Sequence, residues 1–161
     1  MNIYEFAKNM EKDGEKFYRQ LAGKASNKGL VTIFNMLADD EVKHHKTLEE
    51  MEQMEAGTMT STAILLNAKN VFAKMKTEDW GETGDMSQIE AYKKAQDLEK
   101  KSEEFYTQMA EAATESDARN LMMQMADEEK RHYFLLQNII DLVSRPQQWI
   151  ENAEFNHLEE Y

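Results

Sequence analysis

Residues 38–45 read ADDEVKHH, and 88 positions later residues 126–133 read ADEEKRHY. The same offset carries MEKDGEKFYRQLA at 10–22 onto LEKKSEEFYTQMA at 98–110. Both blocks keep this offset with no gap between them, so the chain holds two copies of one unit. Glu11 matches Glu99, Tyr18 matches Tyr106, Glu41 matches Glu129 and His44 matches His132. Each unit reads as a helical hairpin. Two hairpins predict an all-α four-helix bundle with approximate two-fold symmetry.

The punctuation of the chain agrees with that division. Asn2 with Glu5 three residues on forms a capping box, which starts a first helix running to about Lys24. Gly23 and the Ser26–Gly29 stretch signal a turn. A second helix follows from about Gly29 to Ala56, its apolar residues Val31, Phe34, Leu37, Ala38, Val42 and Leu48 spaced by threes and fours. Gly57 ends it. Residues 61–76 predict a shorter helix and 77–86 a loop, so 57–86 forms a long crossover between hairpins at about 2–56 and 87–144. Ser87 with Glu90 repeats the capping box and opens a third helix to about Ala113. Ser116 caps a fourth, running to about Ser144 and stopped by Arg145-Pro146. The tail, 145–161, predicts a short C-terminal helix packing Trp149 and Phe155 onto the bundle. All 161 residues are expected to form a single domain.

Helical geometry brings the repeated residues together. Glu41 and His44 are three apart and share a helix face, as do Glu129 and His132. From Glu11 to the first turn the chain climbs about 13 residues, or roughly 20 Å. From Gly29 it descends about 12 residues to Glu41, roughly 18 Å, back to nearly the same level. The count repeats from Glu99 to Glu129. Glu-x-x-His alone is common in a Glu-rich helix. Two copies, each preceded by a Glu at a distance of 30 residues, point to a metal site. The competing reading is surface charge copied by duplication. Against it, Phe34, Leu37 and Ala38 lie on neighbouring turns of the presumed core side. A buried carboxylate without a partner costs several kcal/mol, which metal ions would remove.

Composition narrows the choice of function. The chain has no cysteine, which excludes disulfides, thiol catalysis, Cys-ligated zinc and iron–sulfur clusters within it and leaves His, Asp and Glu as strong metal ligands. A formal net charge of −12 repels phosphate backbones, so no nucleic-acid partner is expected. No run approaches the roughly 18 to 20 apolar residues of a membrane span. The N-terminal MNIYEFAKNMEKD lacks the layout of a signal peptide, and a cytoplasmic location is expected.

On these residues the chain resembles the rubrerythrin family of the ferritin-like di-iron carboxylate proteins. Glu11 with Tyr18, and Glu99 with Tyr106, look like that family's first- and third-helix patterns. Glu41-Val-Lys-His44 and Glu129-Lys-Arg-His132 look like its second- and fourth-helix motifs. Nearly the whole chain is covered, the crossover and tail least so. Full-length rubrerythrins also carry a Cys-ligated rubredoxin domain, which has no counterpart in these residues. Where the family tends to have a second carboxylate three residues after the third-helix Glu, this chain has Ser102, so the ligand set is more symmetric, as in bacterioferritin.

The resemblance implies roles. Glu41 and Glu129 would bridge two metal ions, with Glu11 and His44 completing one and Glu99 and His132 the other. Carboxylate and imidazole donors suit iron or manganese, and zinc can occupy such a site. The implied activity is reduction of hydrogen peroxide or oxygen to water in oxidative-stress defence. Electrons would come from an external carrier such as rubredoxin, and the assembly would be a homodimer. The alternatives are a ferroxidase or iron-handling protein, which would need a cage-forming assembly, and a passive metal-binding bundle. Tyr18 and Tyr106 read either as core packing or as hydrogen-bond donors to a ligand carboxylate. His45 reads as surface or interhelical and His157 as structural. Glu15 and Glu103 read as surface rather than as alternative ligands. The twelve methionines read as core filling.

Overall fold

The computed structural model describes residues 2–54 and 88–157, with side chains for those up to 144. Four helices occupy the described residues: α1 (Ile3–Lys24), α2 (Lys28–Met54), α3 (Gln88–Ala112) and α4 (Ser116–His157). α1 packs along α2 and α3 along α4, while backbones approach less closely between the two hairpins. The repeat extends to the boundaries: Lys24 and Ala112 end α1 and α3, and Lys28 and Ser116 begin α2 and α4, each pair 88 residues apart.

Local chemistry starts α1 where the sequence predicts. Asn2 Oδ1 accepts from the Glu5 amide at 2.8 Å, and Glu5 Oε2 accepts from the Asn2 amide at 3.1 Å. At the entry to α2, Asn27 Oδ1 accepts from the amides of Gly29 at 2.8 Å and Leu30 at 3.3 Å, satisfying donors that a helix start leaves free. The predicted Ser87 cap, the crossover at 57–86 and its helix at 61–76 lie outside the described residues.

Each helix buries a stripe with three/four spacing, and the stripe changes chemistry midway. On α1 it runs Ile3, Tyr4, Ala7, Met10, then Glu11, then Phe17, Tyr18, Leu21. On α2 it runs Leu30, Phe34, Leu37, Ala38, then Glu41 and His44, then Leu48 and Met51. α3 and α4 repeat the pattern around Glu99 and around Glu129 with His132. The apolar residues gather into two clusters. One joins the start of α1, the end of α2, the end of α3 and the start of α4. The other joins the four opposite ends. The acidic level lies between two apolar plugs. Rings cross between hairpins in both, Phe6 on Phe105 at 5.5 Å and Phe34 on Tyr92 at 5.2 Å between centroids.

One expectation is corrected. The fourth helix does not stop before Pro146, and among the described residues no separate short helix follows: α4 continues to His157. A proline inside a helix removes one N–H bond and crowds the carbonyl four residues back, at about 3 kcal/mol. That penalty is local, whereas Gln147 to His157 supply eleven more helical residues beyond it. The packing expected of Trp149 and Phe155 concerns side chains outside the described residues. No helix among the described residues is long and apolar enough to cross a membrane.

Candidate metal centre

Glu11, Glu41, His44, Glu99, Glu129 and His132 all stand in the register of their helices' core stripes, and each is at most 5% exposed. The structure brings these six into two overlapping groups, Glu11–Glu41–His44–Glu129 and Glu41–Glu99–Glu129–His132. Within each group the candidate ligand atoms lie within 4.8 Å of one another.

Glu41 and Glu129 belong to both groups, and their oxygens divide between them. His44 Nδ1 lies 3.4 Å from Glu11 Oε2, 3.8 Å from Glu41 Oε2 and 3.4 Å from Glu129 Oε1. His132 Nδ1 lies 3.5 Å from Glu41 Oε1, 3.5 Å from Glu99 Oε1 and 3.4 Å from Glu129 Oε2. The two imidazoles stack across the site with centroids 5.8 Å apart and planes 24° apart. Glu11 Oε2, His44 Nδ1, both Glu129 oxygens and His132 Nδ1 are buried without a hydrogen-bond partner, and among the described residues all such atoms belong to this cluster. Orphaned polar atoms are rare in a folded core and costly there. Their convergence fits residues built to hold cations.

Other atoms of the cluster are partnered, and by the opposite hairpin. The Tyr18 hydroxyl donates to Glu99 Oε1, and the Tyr106 hydroxyl donates to Glu11 Oε1. Both tyrosines are fully buried as well, so core packing and hydrogen bonding are combined in each. Burial, and then the nearby charge of Glu99 or Glu11, pushes both phenols well above their ordinary range, so they remain donors. His44 Nε2 lies 2.6 Å from Glu128 Oε2, and His132 Nε2 lies 3.1 Å from Asp40 Oδ2. An acid on Nε2 leaves Nδ1 as the nitrogen facing the cluster.

Within the cluster His44, His132, Glu99 and Glu41 hold protons more tightly than usual. Burial opposes charge on His44, but the close carboxylates of Glu11 and Glu129 outweigh it and push the imidazole up to about 12. His132 is raised further by Glu129, Glu41 and Glu99, again against burial. Glu99 is pushed up to about 8 by burial and the charge of Glu129, with His132 pulling the other way. Burial and the charges of Glu129 and Glu11 raise Glu41 well above the carboxylate range. Glu129, between both histidines, is held below that range although burial opposes it.

Sequence reasoning missed three residues of this environment. Asp40 and Glu128 repeat at the 88-residue offset and directly precede Glu41 and Glu129. That repetition was the available signal, but their partners lie on the other hairpin. The third is Gly14, inside α1, where a Cβ would sit 3.3 Å from Glu41 Oε2 and 3.4 Å from its Cδ. Glycine in a helix interior costs about 1 kcal/mol relative to alanine. Here it leaves room for the Glu41 carboxylate. Among the lesser candidates, His45 is half-buried 3.8 Å from Glu49, Glu15 lies 3.7 Å from Arg19, and Glu103 lies 3.9 Å from Lys100. The side chain of His157 is outside the described residues.

The family model for rubrerythrin matches residues 2–140 of the chain. A solved structure of a hypothetical protein from Pyrococcus furiosus superposes with a TM-score of 0.64 at 24% identity, covering 84% of this chain and 84% of its own. That likeness shows a shared fold. No curated protein matches the chain.

Proposed function

The chain belongs to the rubrerythrin family, and from that premise we propose that it is a di-iron oxidoreductase reducing hydrogen peroxide, or oxygen, to water. The observation that carries this reading is the convergence of five buried, unpartnered nitrogen and oxygen atoms from Glu11, His44, Glu129 and His132. Glu11, Glu41, His44 and Glu129 would hold one ion, and Glu41, Glu99, Glu129 and His132 the other. When bound, two ferrous ions supply the two electrons that, with two protons, convert one hydrogen peroxide into two water molecules.

The chain's own groups set the conditions for that chemistry. Four carboxylates offset two divalent ions, so the loaded, reduced site is neutral in a low-dielectric core. The donor set suits iron or manganese better than soft-ligand metals. Tyr18 and Tyr106 fix one oxygen each of Glu99 and Glu11. Asp40 and Glu128 orient the two imidazoles. The apolar clusters above and below keep bulk water from both ends. With no cysteine among the 161 residues, a thiolate-ligated electron-transfer centre must lie outside them, so a separate carrier would return the electrons.

The test is anaerobic stopped-flow mixing of the iron-loaded, reduced protein with peroxide and, separately, with oxygen. Oxidation of both irons by one equivalent of peroxide is expected. A protein with two irons bound that neither oxidant oxidises leaves a passive metal-binding bundle instead. Replacing both Glu41 and Glu129 with Ala should abolish binding of two metals per chain, and retained stoichiometry would sink the ligand assignment.

A further inference from the structure

A small cavity of about 90 Å³ opens between α1 and α2, lined by Glu11, Lys12, Glu15, Glu41, Val42 and His45. Its inner wall is the buried cluster itself: Glu11 and Glu41 are 1% and 4% exposed, and Glu11 Oε2 has no hydrogen-bond partner. Its outer wall reaches the surface, where Lys12 and Val42 are exposed and Glu15 and His45 are half-buried. The cavity therefore connects the exterior with the candidate ligand carboxylates. Gly14 presents no side chain where α1 passes Glu41.

The two-fold repeat is broken at this place. At the 88-residue offset, Gly14, Val42 and His45 become Ser102, Lys130 and Tyr133. Ser102 is buried, with its Oγ 3.6 Å from Met10 Sδ, so a side chain stands where α1 has none. Lys130 adds a cation where α2 has an apolar residue. The α1–α2 side is thus the less obstructed and the more anionic approach to the centre.

We propose that this cavity is the port through which divalent metal ions enter and leave the centre, with Glu15 and His45 as outer, transient ligands. The proposal rests on the reading that the six buried residues hold metal. Three carboxylates and an imidazole against one ammonium group favour a cation over an anion. The inner end of the space is walled by the buried carboxylates of Glu11 and Glu41, which bind an ion only by replacing some of its waters. An entering ion must shed waters at the mouth. A carboxylate and an imidazole placed there can replace those waters before Glu11 and Glu41 take over.

The experiment follows Co²⁺ uptake by the metal-free, full-length chain through its visible absorption, recording rate and final stoichiometry separately. Wild type should take up two ions. Glu15→Gln and His45→Gln should each load about tenfold more slowly, both to the same endpoint, while the symmetry-related Glu103→Gln keeps the wild-type rate. Wild-type rates in Glu15→Gln and His45→Gln overturn the port while leaving the two-metal centre standing, as does equal slowing by Glu103→Gln. A wild-type chain that takes up no cobalt overturns the centre and the port together.

Discussion

At the scale of the residue, each imidazole is held between two hairpins. His44 faces Glu11 and Glu41 of its own hairpin, and its Nε2 is held by Glu128 of the other. The acid raises the basicity of the ring and leaves Nδ1 facing the other carboxylates. Removing such a partner typically weakens a metal site about 10- to 100-fold. Glu128→Gln should therefore weaken binding of the ion at His44 about tenfold or more in competition with a chelator, and Asp40→Asn should do the same at His132. The effect should be larger for Glu128, whose contact is 2.6 Å against 3.1 Å for Asp40. Unchanged affinity in both variants would mean that the acids only decorate the surface. These partnerships were illegible in the sequence. Periodicity places Asp40 on its own helix face, but only the docked hairpins put it beside His132.

Protons and metal ions compete for the same atoms, which makes the centre pH-sensitive in a definite direction. Near neutral pH, Glu99, Glu41, His44 and His132 all have raised affinities for protons. Loading with divalent metal should release protons, up to about four per chain, and affinity should climb with pH. Calorimetric titration in two buffers of different ionisation enthalpy measures the release, and zero release at pH 7 would contradict the assignment. The same shifts set the stability of the metal-free chain. A group with a raised folded pKa binds more protons folded than unfolded, so its stabilisation is present below the unfolded value and lost through the folded one. For Glu99 that window runs from 4.5 to about 8, and for His44 from 6.5 to about 12. Glu129 has the opposite sign, but its loss occurs only as pH falls below 4.5. The melting temperature of the metal-free protein should therefore fall between pH 6.5 and 8, and a rise across that interval would reverse the sign argued here.

At the scale of the element, the hairpins were readable because apolar spacing and the 88-residue repeat coincide, with the Asn2 cap marking the first boundary; Ser116 proves to be the first residue of α4 rather than its cap. The Asn2 capping box was visible as two residues, and the structure adds a tie to the next helix. Asn2 Nδ2 donates to Glu52 Oε1 at 2.9 Å, and Lys8 Nζ contacts Glu52 Oε2 at 2.5 Å. Asn2→Ala should cost about 1 kcal/mol, lowering the thermal midpoint by about 2 to 4 °C, because cap and tie are lost together. A midpoint within experimental error of wild type would show the start of α1 to be frayed in solution. Pro146 does not end α4, because a breaker rule is a statement about one hydrogen bond. Continuation of α4 is decided by the helical residues on both sides of it.

At the scale of the whole molecule, the polar level has to hold together two hairpins whose backbones pack mainly within themselves. Each group of four draws on both: Glu129 joins Glu11, Glu41 and His44, while Glu41 joins Glu99, Glu129 and His132. The tyrosine–glutamate bonds also cross, as do the acid–imidazole contacts. An ion held in either group would therefore clip the two hairpins together, and its binding free energy would add to folding. At free metal about 100-fold above the dissociation constant each clip contributes about 2.7 kcal/mol, or about 5 to 10 °C in the midpoint for a chain of this length. The two apolar clusters each contain residues of all four helices and do not depend on metal. Chelation should accordingly lower the melting temperature by about that amount per ion while leaving far-ultraviolet circular dichroism at 25 °C nearly unchanged. Loss of helicity at 25 °C would mean that the plugs cannot hold the bundle alone. An unchanged midpoint after two ions are removed would mean that the ions do not tie the hairpins together, and the repeat would then owe its acidic level to chemistry only.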